Sequence, residues 1–298
     1  MLRQNPAYRP GDSHLTARLA TVLLLAAGAC SAPIPRQSPT PVESPAPIAA
    51  PATPSLWVIA GDLLAREYLV EQAAEISVTT DSVTSTDSST LVVAASVRST
   101  AGGGVSGLVR SATVRVAAVN DSVFPGVALP LVFSGAPPSR GIQHALTGRT
   151  LPADPCQSPA HVLLGSIRDL FVPLPDTLKI GTTWADSSVS ESCRGGARLA
   201  GGTTRRFSVR RYEVRDGLPV LLVDHRSTSR LRGTATRGGD TTVVEGLGSG
   251  GGEFVIDALT GAVVSVTTST TLEVTIRGTI RSERARQLLR TRVVRASR

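Results

Sequence analysis

Beyond residue 65 the chain is patterned with a period of two. Leu272, Val274, Ile276 and Ile280 alternate with Glu273, Thr275, Arg277 and Thr279. Val114, Val116 and Ala118 alternate with Thr113, Arg115 and Ala117, and Phe207 and Val209 stand opposite Arg206, Ser208 and Arg210. Successive residues of a strand point to opposite faces, so each run predicts a β-strand with one apolar and one wetted face. Further runs span 66–80, 89–98, 127–134, 218–231, 240–247 and 252–267. Turn signals separate them: Gly102-Gly103-Gly104, Asn120-Asp121, Asp216-Gly217, Gly238-Gly239-Asp240 and Thr260-Gly261. Short turns between closely spaced strands predict an antiparallel meander. About ten strands exceed what one flat sheet holds, which predicts a mainly β fold curled into a half-barrel or open barrel.

One segment follows a helical period instead. Ser158 can cap it, Pro159 suits its first turn and Pro173 ends it. Leu163, Leu164, Ile167, Leu170 and Phe171 fall on one face, so the helix is amphipathic and is expected to pack on the sheet. Cys156 and Cys193 flank it. With Cys30 assigned to another role below, these two are the pair left to form a disulfide. Closing a loop of about 38 residues stabilises by roughly 4 kcal/mol on the chain-entropy estimate. That region carries few strand signals and could divide two sheets; its tie by helix and disulfide favours one continuous sheet.

The N-terminus is patterned differently again. Residues 1–18 are polar, with Arg3, Arg9 and Arg18 against Asp12 alone, and Leu19 to Ala29 is apolar. That is a signal-peptide n-region and h-region, and it falls short of the roughly 20 residues a spanning helix needs. The run ends in Ala27-Gly28-Ala29-Cys30, which resembles the lipobox of bacterial lipoproteins, with Ala27 where the family usually carries a larger aliphatic residue. The resemblance implies diacylglyceryl transfer to the Cys30 thiol and cleavage before it. The alternative is an ordinary signal peptide cut after an Ala-x-Ala-like site, with Cys30 incidental.

Residues 31–55 hold eight prolines, and only Arg36 and Glu43 are charged, so this stretch buries no core and favours extended polyproline II. The organisation read from the sequence is a signal peptide over 1–29, a lipidated cysteine and proline-rich tether over 30–55, and a β-rich domain over 56–298. In Gram-negative lipoproteins a residue other than Asp after the cysteine, here Ser31, points to the outer membrane. The implied location is the cell envelope, on the periplasmic face of the outer membrane.

Net charge alters the picture less than its value suggests. The formal charge is +8, yet residues 31–280 are balanced, and the excess sits in Arg281, Arg284, Arg286, Arg290, Arg292, Arg295 and Arg298 against Glu283. Lys179 is the single lysine, as arginine-rich codon usage would give. Aromatic residues make up 3% of the chain, too few for base stacking, and no nucleic-acid partner is expected. The basic tail is either a contact for anionic head groups or a solvated terminal strand.

Motifs for chemistry do not withstand inspection. Gly102/Gly104/Gly107 and Gly246/Gly248/Gly251 match GxGxxG but run into strands, where a dinucleotide site must open a helix, so they read as turn or bulge glycines. Ser249 lacks the spacing of a nucleophile elbow. His144, His161 and His225 are isolated, with no metal-ligand spacing, and His161 in the first helical turn is expected to face solvent. Asp224-His225 is the most acid/base-like pair, but neighbours in a strand face opposite ways. Asp257-Ala-Leu-Thr-Gly fits a hairpin turn. Trp57 and Trp184 read as core or rim residues. No catalytic residue, cofactor or metal ligand is assigned, and the chain reads as a non-enzyme.

The combination of lipobox, tether, strand-rich body and covering helix resembles the lipid-carrier lipoproteins of the LolA and LprG/LppX type. Their unclosed half-barrel embraces a hydrophobic ligand under covering helices. Leu174–Trp184 and Phe254–Gly261 are also similar to motifs of uncharacterised bacterial lipoproteins. The implied function is an anchored module binding a lipid or other apolar ligand in a curved sheet. The alternative is a structural or assembly lipoprotein that meets envelope proteins and holds no small molecule.

Overall fold

Alternation is carried into strands of unusual length. A computed structural model describes residues 56–59, 63–80, 82–100, 104–116, 122–135, 146–148, 158–194, 197–237, 240–278 and 282–296. The first wing of the sheet is built from β2 (Arg66–Thr80), β3 (Val83–Ser99), β4 (Val105–Val116), β5 (Ser122–Val123), β6 (Leu131–Gly135) and β7 (Leu146–Gly148). The second is a meander of β9 (Thr183–Arg194), β10 (Ala197–Arg215), β11 (Leu218–Arg237), β12 (Asp240–Asp257), β13 (Val263–Arg277) and β14 (Ser282–Arg295). Between the wings lie α1 (Ala160–Ser166), a 3-10 turn (Arg168–Leu170) and β8 (Thr177–Leu178), which pairs with β1 (Trp57–Val58).

The wings join where the chain's last strand meets its first long one. β14 pairs antiparallel with β2, and the order across the sheet is β7-β6-β4-β3-β2-β14-β13-β12-β11-β10-β9. Among the described residues neither β7 nor β9 pairs on its outer side, so the sheet is an open half-barrel rather than a closed one. The basic tail, read above as a head-group contact or a solvated strand, is β14 at the centre of this sheet.

Register explains where the core sits. One lateral row of inward residues runs Val209, Val223, Phe254, Val266, Val293, Val70 and Val93 across seven neighbouring strands. Every one is buried. α1 contributes Leu163 and Leu164 to the same apolar cluster as this row, followed by Ile167, Leu170 and Phe171. Bulges lie near this row at Arg210 on β10, Val264 on β13 and Arg110 on β4, where an extra residue increases local twist and helps the sheet curl.

The helix is shorter than its sequence pattern. It spans seven residues, its cap position is Pro159, and at Ile167 the backbone turns into 3-10 geometry. Ser158 Oγ does accept the Ala160 N–H, at 3.3 Å. His161 is half-buried, not solvent-facing. The strand runs at 240–247 and 252–267 also need correction. Residues 240–257 form one strand, so the glycines at 246, 248, 250 and 251 lie inside a strand rather than at a turn.

Their role is steric. Gly246, Gly248, Gly250 and Gly252 alternate on the inward face of β12, with neighbours of β11 and β13 folded closely over them. A Cβ on Gly250 would sit 2.5 Å from Thr270 Oγ1 and 3.0 Å from Ser227 Oγ, and one on Gly252 would overlap the Thr267 carbonyl. Glycine lets the sheet bend sharply here. Asp216-Gly217, by contrast, is the tight turn expected, with φ of 50° and 76°.

Cys30, Cys156 and His144 lie outside the described residues, as do the proposed signal peptide and tether. Cys193 occupies a β9 position paired with Arg198.

Candidate functional site

Moving two residues along each strand from the apolar row changes the chemistry of the concave face. The next row reads Trp184, Phe207, His225, Gly252, Thr268, Thr291 and Gln72. The one after it reads Asp186, Arg205, Ser227, Gly250, Thr270 and Leu289. Beyond these the face becomes mixed: Ser188, Thr203 and Ser229 give way to Leu272, with Leu231 and Val274 in the following row.

The helical connection is latched at the start of this polar zone. Arg205 grips Asp186 with both arms of its guanidinium, Nε to Oδ1 at 2.9 Å and Nη2 to Oδ2 at 2.6 Å. Its third nitrogen, Nη1, donates to Asp169 in the 3-10 turn at 2.8 Å. Arg168 donates to Ser188 Oγ at 3.4 Å, and Gln72 Nε2 reaches the Ser166 carbonyl at 3.5 Å. Strand β2 therefore holds the end of α1, and β9 and β10 hold the turn that follows it. Burial pushes the Asp186 carboxyl up against the opposing pull of Arg205, and burial lowers the Arg168 guanidinium. The Arg205 guanidinium lies 5.1 Å from the centre of the Phe207 ring.

His225 stands beside this cluster, on β11. Its ring lies 5.3 Å from Phe207 and 5.4 Å from Phe254, and Trp184 stacks on the far side of Phe207 at 5.0 Å. Only 6% of His225 is exposed, and neither ring nitrogen has a hydrogen-bond partner among the described residues. Burial pushes its imidazole down to about 4, with the charge of Arg205 adding to the effect, so the ring is neutral at physiological pH. Asp224 points to the opposite, exposed face, so the Asp224-His225 pair forms no dyad. Buried polar atoms without partners are uncommon and mark a place where hydrogen bonds are on offer.

A trough of about 320 Å³ opens here, bounded by Val162 and Gly165 of α1, by His225, Ser227 and Thr270, and by Leu272 and Leu289 further along. Trp57 is buried and stacked on Tyr212, away from the trough. Asp257 accepts the Leu259 and Thr260 N–H groups at 3.0 and 3.1 Å, the hairpin role its motif indicated. Among the described residues, no three His, Cys, Asp or Glu side chains converge as metal ligands.

Sequence reasoning passed over Arg205, Asp186 and Asp169. The signal was parity: Phe207 faces inward, so Arg205, two residues earlier, faces inward as well and needs a carboxylate.

No family model and no curated protein matches the chain. Solved structures similar to it include OccK2 (OpdF) of Pseudomonas aeruginosa in complex with glucuronate, at 10% identity and a TM-score of 0.29 over 80% of this chain and 100% of that one. OccK8 (OprE) of the same organism is 7% identical, with a TM-score of 0.23 over 80% of this chain and 100% of that one. Scores this low carry no argument about function, and the site stands on its own geometry.

Proposed function

We propose that the chain is a membrane-anchored envelope lipoprotein whose curved sheet binds an amphiphile in the trough beyond α1. The observation that carries this reading is the break in cover along the concave face. On β14, inward Val293 is fully buried in the cluster that also holds the apolar side chains of the helical connection, whereas Leu289, four residues earlier on the same face, is only half-buried, as are Leu272 on β13 and Leu231 on β11. Exposed apolar surface on a concave face is what a ligand tail covers. The neighbouring hydroxyls of Ser227, Thr268 and Thr270, with the unpartnered nitrogens of His225, supply hydrogen bonds for a polar group at the other end.

The anchor is the acyl group on Cys30, and the proline-rich segment is the tether. Among the described residues no hydroxyl of the site is hydrogen-bonded to His225, and binding rather than turnover is the reading. A fluorescent fatty-acid probe tests it. Wild-type protein raises the probe's fluorescence, and Leu272→Trp or Ser229→Trp, which fill the trough, abolishes the rise without lowering the melting temperature. Equal probe binding by the filled variants would overturn the proposal.

A further inference from the structure

The outer face of β9–β12 carries a patch outside the trough, with Arg230 at the border of the two. Arg206 and Arg226 are direct cross-strand partners there, and Arg230 lies two outward positions from Arg226 on β11. All three are exposed. Like charges placed opposite one another repel, and a carboxylate between them is the usual remedy. The carboxylates beside Arg206 and Arg226 are engaged elsewhere, since Arg210 pairs with Glu253 and lies 3.6 Å from Asp224, while the row beyond Arg230 holds Glu191, Arg232 and Glu245, the last paired with Arg277 at 3.5 Å. Between the arginines stand only Thr204, Thr228 and Ser249.

A second observation is independent of charge. Arg230 sits in a lateral row with Val189, Gly202 and Leu247. Val189 is 82% exposed and Leu247 66%, the former the most exposed large apolar side chain described, and a Cβ on Gly202 would meet nothing within 4 Å. Cations interleaved with outstanding aliphatic side chains on a polar sheet face are the composition of an interfacial membrane contact: guanidinium groups meet phosphates while short apolar groups enter the head-group layer. Arg286 and Glu273 continue this row on β14 and β13 and compensate each other in register.

We infer that the outer face of β9–β12 rests on the anionic surface of a phospholipid bilayer, with Arg206, Arg226 and Arg230 on lipid phosphates and Val189 and Leu247 at the head-group boundary. The inference rests on the anchored reading above in one respect, that a tether keeps the domain beside a bilayer.

Co-sedimentation of the full chain carrying Cys30→Ser, so that no acyl group contributes, tests it with phosphatidylglycerol-containing and purely phosphatidylcholine vesicles. The wild-type surface prefers the anionic vesicles, and the preference falls about fivefold for each of Arg206→Gln, Arg226→Gln and Arg230→Gln at low salt. Val189→Ser with Leu247→Ser weakens binding to both vesicles. Arg284→Gln with Arg286→Gln, on the same outer face but outside the patch, leaves the preference unchanged. No anionic preference in the wild type, or an equal loss from the Arg284/Arg286 pair, overturns the inference. Single variants keep their melting temperatures, which separates a lost surface from a lost fold. Probe binding in the trough is measured on the same samples: its persistence with no vesicle preference refutes this inference alone.

Discussion

Arg205 on β10 lies directly across from Asp186 on β9, and the two are joined by a two-pronged ion pair in which both side chains are almost wholly buried. The pair couples the edge of the sheet to the covering segment, because the remaining Arg205 nitrogen holds Asp169. Removing one member of a buried pair leaves the other charge without compensation. Arg205→Met is expected to lower unfolding free energy by about 3–5 kcal/mol. The double variant Arg205→Met with Asp186→Leu recovers most of that loss, because no isolated charge remains in the core. Urea denaturation of the two variants and the wild type measures both quantities.

Asp169 is more exposed than Asp186, and its contact is the latch rather than the core of the cluster. Asp169→Asn is expected to leave global stability within about 1 kcal/mol of wild type while weakening the hold on the 3-10 turn. Hydrogen exchange reads this directly: amides of 162–171 exchange faster, and those of the apolar row on β14 and β2 do not.

His225 makes stability depend on pH in a definite direction. Its folded-state value of about 4 lies below the ordinary 6.5, so between these values the unfolded chain binds more protons than the folded one. Stability from this residue is present in full above pH 6.5 and is lost as pH falls toward 4, by about 3 kcal/mol in all. His225→Leu removes that slope. Melting temperatures of wild type and variant across pH 4 to 7 check it, and parallel curves would contradict the burial assigned to this ring.

The glycines of β12 give a steric prediction. Gly252→Ala places a methyl against the Thr267 carbonyl and is expected to cost about 1–3 kcal/mol. Gly202→Ala, at a strand position where a Cβ has open space, is expected to be neutral or slightly stabilising. Thermal unfolding of the two single variants distinguishes the positions.

Fold class was legible because it depends on period alone: the run at 66–80 and the turns at Asp216-Gly217 and Thr260-Gly261 match the structure closely. The glycine-rich stretch of β12 was not, since glycine carries no side chain to display the period, and its strand character comes from neighbours on both sides. The end of α1 was also hidden. Its apolar spacing continues to Phe171, while the Arg168 and Asp169 contacts with β9 and β10 that accompany its 3-10 geometry are long-range in sequence. The trough was legible only as a curved sheet with a covering helix. Which inward positions stay uncovered depends on where that helix ends, and the local pattern does not contain this.

We propose above all that the trough beyond α1 holds an amphiphile. Native mass spectrometry of the protein purified from its own envelope, without added detergent, tests it most directly. An added mass of lipid size is expected, and it disappears in Leu272→Trp while the fold is retained. A wild-type spectrum showing only the polypeptide and its anchor, or an adduct that Leu272→Trp keeps, would contradict it.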